Sequence, residues 1–151
     1  GVRRKYISPY DNNIYFLDAA KPKLHNSSKK LISIEGQIYF ILDVTFSPQA
    51  VYLTESLGSL RAADCVEGSL LWEYAPERDS HFLRDGYNEF TGTLFGLLWR
   101  YLKGGPYTLV EFDPKTGQPL KKVLLGNAAA AEFGSRGTRL ITSDGCIWKL
   151  D

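Results

Sequence analysis

The chain has 151 residues, 44% of them hydrophobic, 13% aromatic and 23% charged. That is the composition of an ordinary folded domain, long enough to bury roughly 68–70% of the unfolded surface in one core. The formal charge of +1 excludes a strongly basic nucleic-acid surface on bulk charge, and no apolar run approaches the ~20 residues of a membrane-spanning helix.

The first predicted unit is Tyr6–Asp18 (YISPYDNNIYFLD), a hairpin around Tyr10-Asp11-Asn12-Asn13, followed by a strand over Lys30–Ile34. Residues 1–30 carry seven basic and two acidic side chains. They read as a solvated face or, more sharply, as a patch steering an acidic partner. Next comes an inner strand near Gln37–Val44, then Tyr52–Asp64 (YLTESLGSLRAAD) with a turn at Leu57-Gly58, then a strand over Leu70–Tyr74. A weak inner strand at His81–Tyr87 overlaps a long charged loop, Pro76–Asp85. Thr93–Lys103 (TLFGLLWRYLK) is open between strand and helix, because its leucines stand near helical spacing while Gly96 weakens a helix. Tyr101–Asp113 (YLKGGPYTLVEFD) leads through Pro114-Lys115-Thr116-Gly117 to a strand over Lys121–Leu125. Ala128–Phe133 and Arg139–Asp151 (RLITSDGCIWKLD) close the chain.

Four of these segments are thirteen residues long and alike. Each has an apolar second residue, a polar or Gly turn, and an alternating strand closed by Asp18, Asp64, Asp113 or Asp151. Gly and Asn in the turns supply the positive-φ positions tight hairpins need. The aspartates read as turn formers, their carboxylates bonding backbone N–H groups further on. The steps between them are 46, 49 and 38 residues, the length of a four-stranded propeller blade.

The segments FDPKTGQPL and ADCVEGSLLW resemble the blade signature of quinoprotein-type and WD-type β-propellers. The Trp-Asp and Gly-His pairs of WD repeats are absent, so the resemblance implies the fold and no cofactor. The expectation is a single all-β domain over residues 1–151: a small propeller-like array of antiparallel hairpins in three to four incomplete blades. The first unit lacks an inner strand and the last an outer one, and Val2–Ser8 pairing with Cys146–Asp151 would close a ring. A two-sheet β-sandwich is the alternative.

Chemistry is sparse. His25 reads as a loop residue, and Asp79, His81 and Asp85 do not make a convincing metal set. Asp79, Ser80 and His81 are adjacent, so they cannot converge as a triad. Gly104-Gly105-Pro106 is a turn rather than a phosphate cradle. The carboxylates Glu77/Asp79 and Asp85/Glu89, interleaved with Arg78 and Arg84, read as a solvated charged loop. No catalytic, cofactor-binding or metal residue is expected. Cys65 and Cys146 read as small buried hydrophobes, one long-range disulfide, or a reactive thiol. The chain has no methionine and begins Gly1-Val2, as a processed end or an excised domain does. The compartment, cytoplasmic or periplasmic, stays open.

The expected function is therefore protein binding through loops at one end of the scaffold, with Tyr10, Asp11, Arg78, His81, Phe82, Lys103 and Tyr107 as the binding residues. A compact form of it is an inhibitor or immunity-type protein that blocks a bacterial toxin or effector. The alternative is an enzyme or cofactor-binding fragment of a larger propeller. Trp72 and Trp148, on alternating strands, are expected in the core.

Overall fold

A computed structural model describes residues 3–7, 13–18, 28–33, 41–55, 58–100, 106–126, 128 and 130–151. Among them fourteen strands form four antiparallel sheets. The first holds β1 (Arg3–Ile7), β2 (Asn13–Asp18) and β3 (Ser28–Ser33). The second holds β4 (Ile41–Phe46), β5 (Ala50–Glu55), β6 (Leu60–Asp64) and β7 (Leu70–Tyr74). The third holds β8 (Ser80–Asn88), β9 (Thr93–Arg100), β10 (Thr108–Phe112) and β11 (Pro119–Leu124). The fourth holds β12 (Ala131–Phe133), β13 (Arg139–Thr142) and β14 (Ile147–Lys149). In each sheet, neighbours in the chain are neighbours in space. This is the all-β, propeller-like array of hairpins expected from the repeats, with three-stranded sheets first and last. Among the described residues the expected ring closure is not formed: β1 and β14 belong to separate sheets.

The repeated aspartates form turns. Asp64 Oδ1 accepts the N–H groups of Val66 at 2.8 Å and Glu67 at 2.7 Å, and Gly68 bonds back to Asp64 O at 3.0 Å. Asp113 repeats the arrangement: Oδ1 accepts from Lys115 N at 2.8 Å, and Gly117 N donates to Asp113 O at 2.9 Å. The glycine in each takes a positive φ, 76° at Gly68 and 71° at Gly117, which a side chain resists. The turn N–H groups hold both carboxylates below the ordinary range.

The core lies on both faces of the third sheet. Phe82, Leu94, Leu98, Val110 and Phe112 pack against Tyr52, Leu60, Ala62, Trp72 and Tyr74 of the second sheet. On the opposite face Phe95, Leu97 and Leu109 pack against Leu140, Trp148 and Leu150. β9 is therefore buried on both sides, which is why its leucines follow no strand alternation. Residues 93–100 are strand. Gly96 is required there, since a Cβ would lie 2.7 Å from the Phe82 ring. Residues 101–103 of the ambiguous segment lie outside the described residues. Trp72 and Trp148 pack on the core as half-buried rings. Cys65 and Cys146 are both free thiols.

Candidate protein-binding face and an inner polar groove

The sequence placed Arg78, His81 and Phe82 in one long loop. The structure shortens that loop: β8 starts at Ser80, and the connection from β7 is residues 75–79. Phe82 is corrected to a core residue with no exposed surface, edge-on to Phe112 at 5.6 Å and to Tyr74 at 6.0 Å. Alternation along β8 explains the split, because His81 and Phe82 point to opposite faces. Tyr10, Asp11 and Lys103 lie outside the described residues.

The remaining three share one end of the third sheet, and the structure adds others. His81 is the register partner of Trp99 on β9. The Trp99 ring stacks on Tyr107 at 6.5 Å and 23°. Arg100 Nη2 binds Glu77 Oε2 at 3.0 Å, tying the end of β9 to the β7–β8 connection that carries exposed Arg78. Gly58 closes the cluster. Its carbonyl accepts the Phe82 N–H at 3.0 Å, and a Cβ there would come within 2.8 Å of the His81 ring. Trp99 and Arg100 were missed in the sequence, although an indole and a guanidinium are residue types favoured at interfaces. The exposed Arg100–Glu77 pair contributes about 0–1 kcal/mol of stability, so these charges do little to hold the fold.

A second feature lies where β4, β8 and β12 come together, a groove of about 240 Å³ lined by Asp43, Asp85, Tyr87, Glu132, Phe133 and Arg136 among others. Asp43 accepts the Asp85 N–H at 3.2 Å and its own neighbour's, Val44 N, at 3.0 Å. Asp85 was read as part of a solvated loop. It is instead buried in β8, because the strand begins five residues earlier than that loop ends. Burial, then the nearby Asp43 charge, pushes the Asp85 carboxyl well above the ordinary range, against the opposing pull of Thr54 and Arg84. Burial also raises Asp43. Arg84 is engaged by Glu132 at 3.2 Å. Among the residues described as lining the groove there is no His, Cys, Ser or Lys; its polar side chains are carboxylates with Thr45, Tyr87 and Arg136.

Among the described residues, no three His, Cys, Asp or Glu side chains converge as metal ligands, and no helix is long and apolar enough to cross a membrane. No family model and no curated protein matches the chain. Among solved structures, a europium-containing methanol dehydrogenase, a quinoprotein β-propeller, aligns with 82% of this chain and 23% of its own, at 13% identity and a TM-score of 0.56. The computationally designed Ika8 protein aligns with 93% of this chain and 53% of its own, at 16% identity and a TM-score of 0.45. The chain thus spans under a quarter of the dehydrogenase, and the likeness is one of fold.

Proposed function

We propose that this chain is a protein-binding module that grips its partner with the end of the third sheet built from Arg78, His81, Trp99, Arg100 and Tyr107. The supporting observation is the aromatic ladder at that end: His81 beside Trp99, and Trp99 stacked on Tyr107, flanked by two guanidinium groups. Such rings bury large area at low entropic cost, and arginine adds directional hydrogen bonds. The cluster sits at strand ends above a double-faced core, which supports the face from beneath. In its sharpest form the partner is a toxin or enzyme whose active site this face covers. The enzyme alternative has less support, since no His, Cys, Ser or Lys is described among the residues lining the inner groove.

The test compares wild type with an Arg78→Ala/Arg100→Ala/Tyr107→Ala variant, both immobilised, for capture of proteins from source lysate. The expected result is a partner retained by wild type and lost by the variant, which still unfolds cooperatively. A partner held equally by both sinks the assignment of this face. Turnover of a substrate by the isolated chain sinks the binding-module class.

A further inference from the structure

The inner groove carries an excess of negative charge. Four carboxyl groups line it, those of Asp43, Asp85, Glu89 and Glu132, against the one guanidinium of Arg136. Two of the four have cations of their own: Glu132 pairs with Arg84 at 3.2 Å, and Glu89 with Arg136 at 4.0 Å. Among the described residues, no Lys, Arg or His forms an ion pair with Asp43 or Asp85. Asp43 is met by the backbone, its Oδ1 accepting from Val44 N and its Oδ2 from Asp85 N. The second bond holds the Asp43 carboxylate beside Asp85.

Asp85 is less well met. It is 4% exposed, and neither carboxyl oxygen has a hydrogen-bond partner among the described residues. Thr54 lies close enough to pull on it, yet the buried Thr54 hydroxyl closes no bond either. Buried carboxyl oxygens are normally bonded, because a polar group removed from water and left unmet is costly. Two adjacent carboxyls at the wall of a groove are complementary to a single positive group. No three of the described acidic side chains converge as metal ligands, so directional N–H donors suit the pair better than coordination does.

The wall beside the pair favours one kind of cation. The Phe133 ring packs on Gly86, the residue after Asp85, where a Cβ would come within 2.8 Å of it. A guanidinium stacks on such a ring, offers its N–H fork to carboxylates, and is weakly hydrated. An ammonium is held more strongly by water. The groove's volume of about 240 Å³ lies below the roughly 300–1,000 Å³ of pockets for drug-sized ligands, so its occupant is small.

We propose that Asp43 and Asp85 form a binding site for a small guanidinium compound, whose N–H groups bridge the two carboxylates while its plane rests on Phe133. The groove follows the second half of β8, whereas His81 of the Arg78–Tyr107 face lies at the strand's start, so neither reading depends on the other. Occupancy is coupled to protons. Burial and the Asp43 charge favour the neutral Asp85 carboxyl, so the entering cation releases a proton to solvent and its affinity rises with pH. Asp43, Thr54 and Arg84 act on that carboxyl, and Tyr87, Glu89, Glu132 and Arg136 complete the titratable and charged groups around it.

The probe is ethylguanidinium chloride, titrated against the isotope-labelled full chain and read by amide chemical shifts. Saturable shifts at Asp85, Gly86 and Tyr87 are expected, with a Kd between about 0.1 mM and about 10 mM. Ethylurea, its uncharged counterpart, should give no saturable shift. Asp85→Asn should fold and weaken ethylguanidinium binding at least about tenfold. Between about pH 5 and about pH 8 the wild-type affinity should rise more steeply than that of Asp85→Asn. The Arg78→Ala/Arg100→Ala/Tyr107→Ala variant should bind as wild type does. No saturation by about 50 mM, equal binding of ethylurea, or an unchanged affinity in folded Asp85→Asn overturns the proposal. Tighter binding of propylammonium overturns the choice of cation. Tighter binding of an acetylated Gly-Arg-Gly amide overturns the choice of a free small molecule, because a partner's arginine then fills the groove.

Discussion

The indole N–H of Trp72 donates to the carbonyl of Pro114 at 2.9 Å, joining the outer strand of the second sheet to the Asp113 turn of the third. The same ring lies over Gly117, where a Cβ would approach it to 2.5 Å, and stacks on Phe112 at 6.5 Å. One side chain thus reads the turn by hydrogen bond and by shape. Gly117→Ala should cost at least about 1–3 kcal/mol, because it forces a side chain into a positive-φ position and into the indole. Trp72→Phe keeps the stacking and loses the bond, at about 0.5–1.5 kcal/mol. Urea denaturation of both variants checks the order. A Gly117→Ala protein as stable as wild type refutes the fit.

Phe82 and Tyr107 separate core from face. Phe82 is wholly buried among Tyr74, Gly96 and Phe112, so Phe82→Ala should cost about 3–5 kcal/mol. Tyr107 is half-buried and its neighbour is Trp99. Tyr107→Ala should cost clearly less than Phe82→Ala in the same titration. The reverse order would return Phe82 to the surface.

Asn88 bridges the third and fourth sheets. Its Nδ2 donates to Leu150 O at 2.7 Å in a buried setting, and its Oδ1 accepts from Phe90 and Thr91 N–H. Asn88→Ala leaves a buried carbonyl without its donor, at about 1–3 kcal/mol. Hydrogen exchange should then quicken at β13 and β14 more than at β5 and β6. Uniform quickening would show that the bridge is not local.

Asp85 sets a pH dependence of definite sign. Its folded-state pKa is raised, so the stability it contributes is full below the unfolded carboxylate range, about 3.9. That contribution is lost as pH rises through the folded value. Asp43, Thr54 and Arg84 act on it directly, with Glu132 beside Arg84. Asp85→Asn removes the cost of ionisation. The variant should melt above wild type at neutral pH, and the gap should shrink as pH falls below about 4. Asp64, Asp113 and Asp144 are held low by turn and Thr142 hydrogen bonds, so they work in the opposite sense and destabilise both proteins alike in acid. A gap that widens in acid contradicts the buried-acid assignment.

The hairpins could be read from sequence because their chemistry is local. Asp64 through Gly68 and Asp113 through Gly117 each complete a turn within a few residues, and a repeated local motif marks a repeated sheet. The third sheet was harder. Phe95, Leu97, Leu98 and Leu94 are all buried because a sheet lies on each face of β9, and two-sided burial erases the alternation that marks a strand. Asp85 and Phe82 were misplaced for a related reason. Their burial comes from strands distant in sequence, while their neighbours Asp79, Arg84 and Glu89 have the composition of a loop. Of the candidate face, Arg78, His81 and Tyr107 were legible as loop-flanking residue types, whereas the Trp99 stack depends on register between β8, β9 and β10.

The second, third and fourth sheets touch through ring contacts and isolated bonds: Phe82 N to Gly58 O, Trp72 to Pro114, Glu89 N to Arg136 O, Asn88 to Leu150 O. Ladders run within sheets and stop at their borders. These three sheets are leaves, each stitched internally and pressed against the next. A tandem duplication of one whole leaf would insert between two others without breaking a single ladder, and what it must match is a packing surface. Growth or shrinkage of such a chain by entire leaves is the cheap evolutionary step. A change of half a leaf leaves an unpaired edge for another strand to find.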